Sequence, residues 1–229
     1  KTDEEISLMR EANHLVGQTL GELAKWVQPG ISTKRLDQIA EEFIRDNGGV
    51  PGFKGYEGFP GTLCIEVNDE VVHGFPSEYI LKDGDIVGLD CGVVLNGFNG
   101  DSCYTYPVGN VNESILHLLK TTKESLYLGI EQAKVGNRIG NIGFAIQDYC
   151  EHKGYSVVRE LTGHGIGQKL HEDPDIPNYG RKGVGPLLRL GMCICIEPMI
   201  NEGSKNVVCD RNGWTIRTRD HKWSAHYEH

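Results

Sequence analysis

Asp85-Ile-Val-Gly-Leu-Asp90-Cys-Gly-Val-Val-Leu-Asn-Gly-Phe-Asn-Gly-Asp101-Ser-Cys-Tyr-Thr-Tyr106 is two β-rich runs around an Asn-Gly pair. Asn96-Gly97 is a strong hairpin signal, because a type I′ turn needs positive φ at both central residues. With that turn, Leu95 faces Phe98, Gly92 faces Asp101, and Asp90 faces Cys103. Side chains alternate faces along a strand. Asp90 and Asp101 therefore project from one face as diagonal neighbours, about 7–8 Å apart. Like charges so placed repel unless a cation lies between them, so the hairpin points to a metal site.

The rest of the chain reads as a mixed α+β protein. Thr2-Asp-Glu-Glu5 is a capping box, followed by Ile6, Met9, Val16, Leu20, Leu23 and Val27 at helical spacing up to Pro29-Gly30. A second helix starts near Ser32 or Thr33, turns Leu36, Ile39, Ala40, Phe43 and Ile44 inward, and stops at Gly48-Gly49. Leu63, Ile65 and Val67 alternate as a strand, and Val71-Val72-His73 follows a turn. Asn112 caps a long helix predicted through residue 133. A further helix carries Ile139, Ile142, Ile146 and Tyr149 and ends at Gly154. Shifting the first half by 106 residues places Gly30 on Gly136, Leu36 on Ile142, Ala40 on Ile146 and Gly48 on Gly154. This reads either as an internal duplication of helix-helix-strand halves with a site on the pseudo-two-fold axis, or as two α+β stretches in series.

Composition narrows the function. The net charge of −9 and pI near 5.5 argue against a nucleic-acid groove as the main function. Seven cysteines, an odd number with no C-x-x-C pair, suit a reducing cytoplasm better than a disulfide scaffold. No apolar run is long enough to span a membrane. The chain opens on Lys1 rather than a methionine, so further residues are expected before it.

Three other segments are chemically unusual. His164 sits among glycines in Leu161-Thr-Gly-His-Gly-Ile-Gly167, where absent side chains let backbone approach closely; His171 and Glu172 follow. Glu197 lies inside Met192-Cys-Ile-Cys-Ile-Glu-Pro-Met-Ile200, which reads as a buried strand, and a buried carboxylate needs a partner or a metal. Ser224-Ala-His-Tyr-Glu228 closes the sequence. Each has a plain structural reading: an ion pair of Glu197 with Arg189 or Arg217, a structural His164, a solvated Glu228. His226 reads as a surface residue, as do His221 and His229.

Taken in order, Asp90, Asp101, His164, Glu197 and Glu228 resemble the ligand series of the type I methionine aminopeptidases, dinuclear metallopeptidases of the pita-bread fold. The resemblance spans nearly the whole chain, through Val71-Val-His73-Gly-Phe-Pro76, Gly163-His164-Gly-Ile-Gly167, Ile196-Glu197-Pro198-Met199, Asn212-Gly-Trp214 and Tyr227-Glu228-His229. It implies one catalytic domain over residues 1–229, with an antiparallel sheet between pseudo-symmetric halves. It implies two divalent ions, with Asp90 on one, His164 and Glu197 on the other, and Asp101 and Glu228 bridging. Four carboxylates and an imidazole are a hard donor set suited to Mn, Fe or Co. Two divalent cations would balance their charge and acidify water.

The implied reaction removes the N-terminal methionine from peptides and nascent chains, with Glu197 as proton shuttle and His171 and His73 assisting at the scissile amide. By the same resemblance Tyr56, Phe59, Cys64 and Trp214 form the methionine pocket, with Phe53 and Leu170 at its edge; these aromatics also suit plain core packing. Glu57 stands where some members carry histidine, and Leu170 where many carry an aromatic. The expected protein is a cytoplasmic monomer with at most a transient ribosome contact. In the family a strand follows the last glutamate, so Glu228 is expected to fray here and the second metal to bind weakly, unless another segment supplies that strand.

Two alternatives follow. Prolidase and aminopeptidase P share the five ligands but carry a large N-terminal domain, and only 89 residues precede Asp90. A non-catalytic pita-bread binding protein would have lost ligands, and all five are present.

Overall fold

A computed structural model describes residues 1–229. Four helices, α1 (Asp3–Leu23), α2 (Thr33–Asp46), α3 (Glu113–Ile130) and α4 (Ile139–His152), pack on short antiparallel sheets. The first sheet contains β1 (Val50–Pro51), β2 (Leu63–Val67), β4 (Ile86–Leu95) and β5 (Phe98–Pro107); β3 (Glu70–Val72) belongs to the second. Strand β4 is central, with β5 on one edge and β1 and β2 in succession along the other.

The hairpin forms in the expected register: Leu95 pairs with Phe98, Gly92 with Asp101 and Asp90 with Cys103. Asn96 and Gly97 take φ of 53° and 80°, the left-handed values that the turn requires. Alternation then sorts the side chains. Leu63, Ile65, Val87, Leu89, Cys91 and Val93 pack under α1 and α2 in one buried core. Cys64, Glu66, Asp90, Asp101 and Cys103 occupy the opposite face.

The second half repeats the plan. Helices α3 and α4 bury Leu118, Leu126, Ile142 and Ile146 against Ile200, Ala225 and Tyr227. Their sheet joins β6 (Ser156–Val157), β9 (Met199–Asn201) and β12 (Ser224–His226). The paired glycines share backbone geometry: Gly30 and Gly136 have φ of 97° and 92°, and Gly48 and Gly154 have 80° and 86°. β7 (Gly163–Gly165) pairs with β8 (Glu172–Ile176), while β10 (Val207–Cys209) and β11 (Ile216–Thr218) extend the sheet of β3.

Helix starts follow the sequence reading, with the Thr2–Glu5 capping box formed and Ser32 and Asn112 capping α2 and α3. Three elements differ, one of them α3, which ends at Ile130 rather than at residue 133. Helix α1 ends at Leu23, well before Pro29, and Val27 packs on the core from a turn. The stretch 192–200 is a strand only from Met199. Before that, Ile194 makes one bridge to Gly165, and Pro198 has no N–H to extend a ladder. No helix is long and apolar enough to cross a membrane.

Candidate metal centre

Asp90 and Asp101 reach the seam between the halves from the hairpin. His164 arrives from β7, Glu197 from the chain just before β9, and Glu228 from just after β12. All five line one cavity. Donor atoms of Asp101, His164, Cys195 and Glu228 lie within 4.8 Å of one another. His164 Nε2 is 3.8 Å from Asp101 Oδ2 and 3.7 Å from Glu197 Oε1.

Local hydrogen bonds orient these groups. His164 Nδ1 lies 2.9 Å from the Gly165 carbonyl. Donation there leaves the Nε2 lone pair facing the carboxylates, the tautomer a metal ligand needs. The glycines beside His164 admit neighbouring backbone: a Cβ on Gly163 would lie 2.3 Å from the Cys195 carbonyl oxygen, and one on Gly165 2.3 Å from that of Asp173. Glu228 is held from both sides. Its N–H donates to the Cys103 carbonyl at 3.0 Å, its own carbonyl accepts from Ser102 Oγ at 2.6 Å, and His229 exchanges backbone bonds with Ile196.

The electrostatics ask for cations. Burial pushes the Asp90 carboxyl up to about 7, and it pushes Asp101, Glu197 and Glu228 well above the usual range, reinforced by the neighbouring carboxylates. Burial drives His164 down to about 4, which keeps the imidazole neutral and able to coordinate. Asp90 Oδ1, Asp101 Oδ1 and Glu228 Oε1 are buried without a hydrogen-bond partner. Buried orphan acceptors are rare in folded proteins, and an oxygen-rich set of this kind fits divalent metal. Neither Arg189 nor Arg217 pairs with Glu197; Arg217 is engaged by Asp69, Glu70 and Asp210.

The cavity wall is apolar. Phe59 stacks edge-on against Trp214 and Phe75, each at 5.3 Å between centroids. Phe53, Cys64 and Leu170 complete this side, and Glu57 stands at the lining as well. At the polar end the His171 ring lies 4.3 Å from that of His164, and Tyr56 Oη is 2.9 Å from His171 Nδ1. His73, at φ 57°, faces Trp214 across 6.3 Å.

His226 corrects the sequence reading. It is buried at 3% exposure, with Nε2 3.8 Å from Glu197 Oε2, because β12 pairs with β9 and turns this side chain inward. The sequence reading misses Glu66, which is buried on the site-facing side of β2. Its place two residues after Cys64, on the same strand face, is the signal that points to it.

The model of metallopeptidase family M24 matches residues 7–229. Methionine aminopeptidase 1 of Bacillus subtilis is 54% identical over 229 residues, covering 100% of this chain and 92% of that protein. A crystal structure of methionine aminopeptidase from Rickettsia prowazekii superposes with a TM-score of 0.99 at 40% identity, covering 100% of this chain and 93% of the other. A prolidase from Pyrococcus furiosus shares the fold, with a TM-score of 0.79 at 24% identity, but this chain covers only 60% of it. These likenesses confirm the α+β pita-bread fold, and the chain belongs to metallopeptidase family M24 and, within it, to the methionine aminopeptidases.

Proposed function

We propose that this protein removes the N-terminal methionine from peptides and nascent chains, using two divalent ions. The observation that carries the reading is the convergence of five buried ligands, three with orphaned oxygens, beside an apolar wall of Phe59, Trp214 and Cys64. Asp90 would hold one ion, His164 and Glu197 the other, and Asp101 and Glu228 both. Bound there, the ions would supply Lewis-acid polarisation of the scissile carbonyl and acidify the attacking water.

The chain's own residues do the rest. Glu197, buried beside His164, takes the proton of the attacking water and returns it to the leaving amine. Tyr56 donates its hydroxyl proton to His171 Nδ1. That leaves Nε2–H of His171 as a donor to the developing oxyanion. His73 contacts the scissile amide, and the aromatic wall with the Cys64 sulfur accepts the thioether side chain. Ligands come from both halves of the chain, so residues 1–229 act as one catalytic domain, working as a cytoplasmic monomer that meets its substrates at or near the ribosome.

The test is metal-stripped protein reloaded with Mn, Fe or Co and assayed on Met-Ala-Ser against Ala-Pro peptides. Cleavage of Met-Ala-Ser, abolished in folded Asp101→Asn, is expected. Cleavage of only the proline substrates would establish the prolidase-like activity instead.

A further inference from the structure

The site-facing side of the hairpin sheet carries a second row of residues beside the one that holds Asp90. Cys64, Asp90 and Cys103 lie opposite one another across β2, β4 and β5, and Glu66, Gly88 and Thr105 form the next row on the same face. Gly88 leaves space for the acid: a Cβ there would sit 2.7 Å from Glu66 Oε2. Thr105 fixes the neighbouring strand, its Oγ1 donating to the His226 carbonyl at 2.6 Å and accepting from the His226 N–H at 3.1 Å. Donor atoms of Glu66, Cys103 and His226 consequently fall within 4.8 Å of one another.

These three side chains are unused by the reaction proposed above. Glu66 and His226 are each 3% exposed, and neither the carboxylate oxygens of the one nor the ring nitrogens of the other have a hydrogen-bond partner. Cys103 Sγ makes only a long contact of 3.6 Å to the His226 carbonyl. The donors are too far apart to bond directly but suitably spaced around a central ion, since metal–ligand bonds of about 2.0–2.3 Å separate tetrahedral donors by roughly 3.3–3.8 Å.

We infer that Glu66, Cys103 and His226 form a third, buried divalent-metal site, whose oxygen, sulfur and nitrogen donors favour Zn(II) or Co(II). On binding, the Cys103 thiol loses its proton to solvent. Carboxylate, thiolate and divalent ion then sum to zero net charge inside the protein.

The experiment titrates the metal-free full chain with Co(II), removes unbound ion by gel filtration, counts bound metal by mass spectrometry and records the sulfur-to-cobalt charge-transfer band. Three equivalents and a thiolate band are expected for the natural chain. Glu66→Gln, His226→Gln and Cys103→Ser should each lose one equivalent and keep the other two, which also shows that the main centre still folds. The band should vanish in Cys103→Ser and persist in Cys195→Ser. Asp101→Asn should lose main-centre metal yet keep the band, which separates failure of this site from failure of the dinuclear centre. Two equivalents without a thiolate band, or a band that follows Cys195, would overturn the inference and leave water among these groups.

Discussion

Ser102 Oγ donates to the backbone carbonyl of Glu228 at 2.6 Å in a buried seam. Ser102 follows Asp101 directly, so one hydroxyl ties the hairpin's second proposed ligand to the proposed ligand farthest from it in sequence. Ser102→Ala leaves a buried carbonyl without this donor. The expected cost is about 1 kcal/mol of stability, read as a lower thermal midpoint, together with weaker metal binding by calorimetric titration. Unchanged metal affinity would uncouple the anchor from the centre.

Tyr56 and His171 make a second such pair. Tyr56→Phe removes the hydroxyl proposed to set the imidazole tautomer, and should lower kcat by about tenfold with little change in KM. His171→Ala removes the proposed oxyanion donor and should cost roughly 10²–10³ in kcat. A Tyr56→Phe enzyme changed only in KM would make Tyr56 a substrate contact.

Metal removal should change how stability depends on pH. The Asp90 carboxyl is raised by burial from 3.8 to about 7. A raised carboxyl keeps its proton in the folded protein where the unfolded chain has released it, so stability falls as pH rises between those values. The metal-stripped protein should therefore melt at a lower temperature near pH 7 than near pH 5, and excess divalent ion should reverse the difference. A stripped protein equally stable at both would contradict the burial argument.

The turn that organises the hairpin can be tested alone. Gly97 has φ of 80°, which a β-branched residue resists, so Gly97→Val should cost about 1–3 kcal/mol in chemical denaturation. Asn96→Gly should be tolerated far better.

The two halves can be compared at equivalent positions. Leu36 and Ile142 are both fully buried, one in each core. Replacing either with alanine should cost about 2–5 kcal/mol. A far smaller loss in one half would mark that core as the looser.

The hairpin, its register and the helix starts were legible in the sequence because each depends on neighbours: a turn pair, strict alternation, a capping side chain. Four of the proposed site residues stand out as charges or a histidine in apolar or glycine-rich surroundings. Glu66 and His226 did not, because their burial follows from strand pairing between distant segments. The stretch before Met199 misled for the same reason. Its apolar run reads as a strand, but its backbone bonds go to Ile166, His164 and His229 rather than along one neighbouring strand.

Glu228 has one more consequence, concerning time rather than space. It is the last of the five ligands to be synthesised, and its backbone is seated by Cys103 and Ser102, made more than a hundred residues earlier. A growing copy can fold its hairpin and first core while still attached to the ribosome. It cannot close the proposed metal centre until residue 228 has left the exit tunnel, so a copy still being made up to that point lacks a complete ligand set.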